Sequence, residues 1–240
     1  MRDHLLDLIS HIHALGGIDQ LRISGTDTET NFNAIADDRS VVIDGMFINP
    51  VADFMGTFGM PNLKKLSILL NLKEYQEGAK LTMSRKDTGA PDQLTFVNTN
   101  GDFKNSYRFM AEALANEKIK PPKFKDVTWN VEFEPSAAAI LRLKMQASAN
   151  EEENTFQAKV EDGDLKFYFG DHSSHAGNFV FQPDVGGDIK RAWQWPVKTV
   201  IGILDLAGDK IMRISDGGAT QIIVNSGLAI YTFIIPAQTK

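Results

Sequence analysis

The sequence predicts an α+β protein built as two similar halves, each with two short helices on an antiparallel sheet. Three observations carry this. The 240 residues are 42% hydrophobic and 23% charged, a globular composition that excludes wholesale disorder. The order helix, three strands, helix, then three or four strands occurs twice, a duplication of architecture with little residue identity. Between the copies stand Lys118, Lys120, Pro121, Pro122, Lys123 and Lys125, which read as an extended, exposed connector. The domains are therefore 1–110, a connector over 111–126, and 127–240, the halves being 110 and 114 residues long.

Each element has its own signal. Leu5, Leu8, Ile9, Ile12 and Leu15 recur at helical spacing over 3–15, and Gly16-Gly17 ends that helix. Strands follow near 18–24, 28–36 and 40–48, separated by Gly25-Thr26-Asp27 and Asp37-Asp38-Arg39. Asn49-Pro50 reads as a helix start, with Val51, Phe54, Met55 and Phe58 as an apolar stripe and Gly59-Met60-Pro61 as the stop. Strands are expected at 65–72, 79–86, 92–99 and 102–110. Residues 111–117 favour a helical turn before the connector.

In the second half a strand over 127–134 leads to Pro135, which opens a helix over 136–147. Strands near 154–161, 164–170 and 175–182 follow. Pro196 opens the last helix, striped by Val197, Val200, Ile201 and Leu204. Strands at 209–215, 219–225 and 228–235 close the chain, turned by Asp216-Gly217-Gly218 and Asn225-Ser226-Gly227. Sheet with both helices on one face is the economical packing.

Several chemistries are excluded. No cysteine is present, so disulfides, thiol catalysis and cysteine-held metals are out. No nucleotide-binding glycine loop, zinc-protease helix or nucleophile elbow occurs. No apolar run is long enough to span a bilayer, and the N-terminus lacks the pattern of a signal peptide. His172 and His175 flank two serines beside Asp171, but a third ligand is missing and the segment reads as a polar turn. His4 and His11 share a helical face and read as a solvated surface or as phosphate neighbours. No metal or cofactor is expected.

The formal charge is −6, which rules out coating of nucleic acid by a basic protein but not a local basic surface. Around the four expected helices (2–15, 50–66, 136–148 and 188–205), eight basic residues stand against five acidic ones. The basic residues are Arg2, Lys64, Lys65, Arg142, Lys144, Lys190, Arg191 and Lys198. The helical layer is thus +3 and the rest of the chain −9, a pattern that suits non-specific phosphate contact. Arg142 and Lys198 lie off their helices' apolar stripes. Lys144 lies near its stripe, and Lys64 and Lys65 fall beyond the second helix, in a loop.

Two similar halves, basic helices, acidic sheets and a lysine-proline connector resemble a sliding DNA clamp. The resemblance covers essentially the whole chain. It is to the trimeric processivity factor of T-even-type tailed phages, and more remotely to proliferating-cell nuclear antigen. The most clamp-like stretches are Asn49-Pro50-Val51-Ala52-Asp53-Phe54-Met55-Gly56, Ala139-Ile140-Leu141-Arg142-Leu143, and the run from Leu206 through Pro236. One departure is that family members usually place a short strand before the first helix, whereas here the helix starts almost at Met1.

The resemblance implies a homotrimeric ring that encircles duplex DNA, with helices lining the hole and sheets outside. It implies a tether for a DNA polymerase in replication, a separate ATP-dependent clamp loader, no catalysis, and the cytoplasm of an infected bacterial host. It implies ring closure by strand pairing between 102–110 of one subunit and 175–182 of the next. Phe103, Tyr107 and Phe109 on one edge would meet Phe179, Val180 and Phe181 on the other; in a monomer these would be core residues. It also implies an apolar pocket between the halves for a partner peptide, with Val41 and Val42 on its rim, Ile119 and Phe124 in its lid, and Phe233, Ile235 and Pro236 at its floor. The competing readings are a structural β-rich phage ring or tail protein and, more remotely, an enzyme using Asp37-Asp38 or Glu151-Glu152-Glu153.

Overall fold

The computed structural model describes residues 1–120, 127–171 and 175–238. Contacts divide the chain into two units: Met1–Pro122 with Ser226–Tyr231, and Lys123–Asn225 with Thr232–Lys240.

The first unit opens with α1 (Arg2–His11), whose Leu5, Leu8 and Ile9 are buried. The strands β1 (Gln20–Gly25), β2 (Thr30–Ile35), β3 (Val42–Phe47) and β4 (Gly56–Pro61) form a sheet in the order β4-β1-β2-β3. Alternation sets their faces: Leu21 and Ile23 are buried, whereas Arg22 and Ser24 are only half-buried. Next come α2 (Leu63–Asn71) and a second sheet in the order β5 (Lys80–Arg85), β6 (Pro91–Val97), β7 (Lys104–Arg108). A third helix, α3 (Glu112–Lys118), packs against β4, where Ala115 seats beside Gly59. The core is a chain of rings in which Phe32 meets Phe47 and Tyr231, Phe47 meets Phe54, and Phe54 meets Phe58.

The second unit repeats the plan. After β8 (Val131–Phe133) come α4 (Ala137–Ala149), β9 (Thr155–Glu161), β10 (Asp164–Phe169), β11 (Gly177–Gln182) and β12 (Gln194–Pro196), in sheet order β11-β10-β9-β12. Then α5 (Val197–Leu204) leads to β13 (Asp209–Ser215), β14 (Ala219–Asn225) and β15 (Ala229–Pro236). β13 lies between β8 and β14. Of β15, Ala229–Tyr231 groups with the first unit and the remainder with the second. Phe156, Phe167, Phe169, Phe181 and Trp195 fill this unit's core.

Both units therefore run α-β-β-β-β-α-β-β-β, and in both the fourth strand returns to pair with the first: β4 with β1, and β12 with β9. β8 supplies a strand ahead of α4, whereas among the described residues none precedes α1.

The second helix lies elsewhere than its apolar stripe predicts. Ala52–Phe54 make one 3₁₀ turn, and Gly56 at φ +96° turns the chain into β4. A helix cannot pass through a residue in that region. The stripe residues Val51, Phe54 and Phe58 are buried as a strand and its approach. The helix is instead 63–71, overlapping the segment 65–72 expected as a strand. Asn62 starts it: its Oδ1 accepts the Lys65 N–H at 2.9 Å, and Leu63, Leu66, Leu69 and Leu70 form the buried face.

Candidate nucleic-acid interface

In each unit the first and second helices of the plan are joined by a side chain. In the first, the Arg2 guanidinium of α1 donates to the Leu70 carbonyl of α2. In the second, Lys144 of α4 pairs with Asp205 at the end of α5. A groove of about 450 Å³ runs along the first pair, lined by Asp3, Leu6, Ser10, Ser67 and Asn71 among others. One of about 480 Å³ runs along the second, lined by Lys144, Ser148, Lys198 and Ile201 and also by the acids Glu151 and Glu153.

The two second helices correspond residue for residue. Leu63, Leu66, Leu69 and Leu70 are the buried face of α2; Val197, Val200, Ile203 and Leu204 are that of α5. Lys64 and Lys198 are each the second residue of their helix, and both are exposed. Lys65 follows in α2, where α5 has Thr199. Unpaired backbone N–H groups give a helix N-terminus a partial positive charge. At α2 this end is capped: Asp19 Oδ1 accepts the Lys64 N–H at 3.1 Å and Asn62 Oδ1 the Lys65 N–H at 2.9 Å. The Lys64 and Lys65 side chains thus stand beside one carboxylate. Lysines at such an end oppose the helix dipole and cost stability.

Charge on α1, α2, α4 and α5 is one-sided. Arg2, Lys64, Lys65, Arg142, Lys144 and Lys198 stand against Asp3 and Asp7. These four helices are thus +4 within their bounds, or +3 with the Asp205 that caps α5, in a chain of −6. Asp7 moreover turns inward, accepting from Tyr231 Oη at 2.7 Å and Ser226 Oγ at 2.9 Å and lying 3.2 Å from His11 Nδ1. Burial raises the Asp7 pKa, but these partners outweigh it and hold the carboxyl below its usual range.

The expected basic residues divide into two groups. Lys64, Lys65, Lys198 and Arg142 are exposed on helices, and Lys64 and Lys65 are in the first turn of α2 rather than in a loop. Arg2 is half-buried and engaged with Leu70, and Lys144 is engaged with Asp205. Lys190 and Arg191 are not helical. They lie in the loop before β12, where their N–H groups donate to Asp216 and their side chains lie near Asp188 and Asp216. Acids in that loop and the following hairpin neutralise them. The two α1 histidines are not a solvated face either: His11 is buried and stacked on Tyr231, and the His4 ring meets Phe47 edge-on.

Other expected site residues fall as follows. β7 and β11 are sheet edges within their units. Their aromatics mostly serve their own cores: Tyr107, Phe109, Phe179 and Phe181 are buried, while Phe103 is exposed and Val180 half-buried. Ile119 is buried where α3 ends, so it is a core residue rather than a lid on an open connector. Phe124 and the connector residues 121–126 lie outside the described residues, as does His172. Val41, Phe233 and Ile235 are buried, Val42 is half-buried and Pro236 is exposed.

No protein-family model and no curated protein sequence matches the chain. Solved structures do. PCNA from Thermococcus kodakaraensis superposes with a TM-score of 0.66 at 14% identity, covering 99% of this chain and 97% of that one. PCNA of A. fulgidus, solved with the C-terminal region of FEN-1, gives 0.70 at 10% identity over 100% and 96%. PCNA from Entamoeba histolytica gives 0.64 at 11% identity over 99% and 94%.

This is the sliding-clamp fold.

Its two-helix units are the repeats described above, and at these identities the likeness establishes architecture alone. Within the clamp fold, the correspondence of Lys64 and Lys198 is the feature that sequence reasoning missed. The signal was Asn62 three residues before Lys65, a helix cap hidden by the preceding apolar stripe.

Proposed function

We propose that this chain is a DNA sliding clamp that performs no catalysis. Three copies close into a ring around duplex DNA, and the ring tethers a DNA polymerase during replication. The observation that carries this reading is the +4 charge of the four paired helices in a chain of −6, on a clamp fold that spans the chain. Exposed lysines at Lys64, Lys65 and Lys198 attract phosphate without reading sequence. The acidic remainder discourages binding elsewhere. Weak contact suits a ring, because topology supplies retention and a tight grip would stop movement. An ATP-dependent loader opens the ring, the edges β7 and β11 of neighbouring subunits pair to close it, and the setting is a phage-infected bacterial cytoplasm.

The test is solution mass across a dilution series, followed by retention on DNA. A trimer has a mass of about 80 kDa, three times 26.6 kDa. Loaded rings should stay on a nicked circle and leave when the circle is cut. A chain that stays monomeric at high concentration removes the ring. A trimer that neither enters circular DNA nor stimulates a polymerase favours a structural phage ring.

A further inference from the structure

Arg142 is exposed and basic, the profile of a phosphate contact, but its surroundings give it a second task. On α4 and its C-cap, Arg142, Gln146 and Asn150 are spaced four apart along one side. That side faces β11. The Arg142 guanidinium lies 5.4 Å from the centre of the Phe179 ring. Gln146 and Asn150 crowd Gly177, where a Cβ would fall 1.9 Å from Gln146 Nε2 and 3.1 Å from Asn150 Nδ2. A side chain at position 177 would therefore have to turn the Gln146 amide aside, so the glycine lets helix and strand approach closely.

β11 needs such support. It is an edge strand, paired with β10 alone among the described strands, and its register slips opposite Leu165 and Lys166. Such an edge, with one lateral neighbour and an irregular ladder, is free to twist. Phe179 packs against Phe167 and Phe181 on the inner side, and Arg142 covers it from the helix. A planar guanidinium can cover a ring face in a way that an ammonium does not.

We infer that Arg142 is a positioning residue for β11, holding this edge in the geometry that a second copy of the chain must pair with. The functional part rests on the ring reading above. It makes ring closure sensitive to a side chain on the helix layer, so a charge reversal at position 142 would weaken the ring before it weakened DNA contact.

The experiment combines hydrogen exchange over residues 177–182 with solution mass, on DNA-free wild type, Arg142→Lys, Phe179→Leu and Lys198→Glu. Arg142→Lys keeps the charge and loses the stack. Phe179→Leu keeps the arginine and loses the ring face. Arg142→Lys should speed exchange of β11 about two- to fivefold, the weight of one cation–aromatic contact, and Phe179→Leu by more, because it also loses the ring contacts to Phe167 and Phe181. With three interfaces per ring, both should raise the trimer dissociation constant roughly ten- to a hundredfold. Lys198→Glu should alter neither. Wild-type exchange in both variants overturns the positioning role, whatever the mass. Faster exchange with an unchanged trimer overturns the link to closure. A wild-type monomer at every concentration overturns the ring reading and the functional part with it, while exchange still decides whether Arg142 holds the strand.

Discussion

The two units share a plan but distribute charge differently. In the first, both lysines of α2 are exposed, and the arginine of α1 is spent on a backbone carbonyl of α2. In the second, α5 carries one exposed lysine, the lysine of α4 is spent on Asp205, and the arginine of α4 covers an edge strand. Each unit uses one long cation to fix its helix pair and leaves others outward. The lesson is that a basic residue on the helix layer is not by itself a phosphate contact. Its neighbours decide.

The sharpest way to break this correspondence is in the buried faces. Leu66→Ala should destabilise by about 2–5 kcal/mol, as large-to-small core changes do, and Val200→Ala by less because fewer carbons are removed. Denaturant melts of the two variants would show whether α2 and α5 anchor their units alike; equal small losses would mean that the helices are not core elements.

Acid should separate the units next. Asp7 has a depressed pKa, so its stabilisation is present above the unfolded value of 3.8 and is lost as pH falls through the folded value. His4, lowered chiefly by burial and also by the N-terminal ammonium, acts in the same direction from its ordinary 6.5 downward. Asp7→Asn should cost about 1–3 kcal/mol at neutral pH, because a charged acceptor of buried donors is lost. It should also flatten the acid side of the stability curve. A variant that keeps the wild-type pH profile would show that the network carries no proton linkage.

In the proposed clamp, the DNA contacts should differ by count. Each phosphate contact contributes about 0.9 to the logarithmic salt slope. Lys64→Glu with Lys65→Glu should therefore flatten the slope about twice as much per subunit as Lys198→Glu, read by titration of duplex DNA at several salt concentrations. Equal effects would make the two helices equivalent despite Thr199. The smallest change is expected at Lys144→Met. Its ion pair is roughly 40% exposed on both sides, and such surface pairs contribute less than about 1 kcal/mol. The salt slope should stay at the wild-type value.

Most of the fold is legible in the sequence. Turn residues and alternation locate nearly every strand, and Pro135 and Pro196 locate α4 and α5 to within a residue or two. β12, three residues long, is a fourth strand that the expected order of three lacks; the larger failure is local and has a physical cause. Val51, Phe54, Met55 and Phe58 satisfy helical spacing, but a 3₁₀ turn followed by a strand buries Val51, Phe54 and Phe58 too. Only the left-handed Gly56 breaks the tie, and its φ is set by tertiary structure. The run from Leu63 to Leu70 was ambiguous in turn, since short apolar runs fit either state. That error hid the site, because Lys64 and Lys65 take on meaning only once a helix begins beneath them. Pairing is less legible still. Nothing local announces that Lys144 meets Asp205 or that Asp216 gathers Lys190 and Arg191, because these partners are 25 to 61 positions apart.

The matching places of Lys64 and Lys198 bear on movement. In the proposed trimer this position recurs six times, with an extra charge from Lys65 at every other place. Duplex DNA repeats every 10–10.5 base pairs, and neither three nor six divides that pitch evenly. When one lysine faces a phosphate, others face a groove. Attraction gained at one place is surrendered at the next as the duplex advances, so the summed energy changes little along the path. If the proposed ring forms, such an incommensurate pair would glide without a preferred stop.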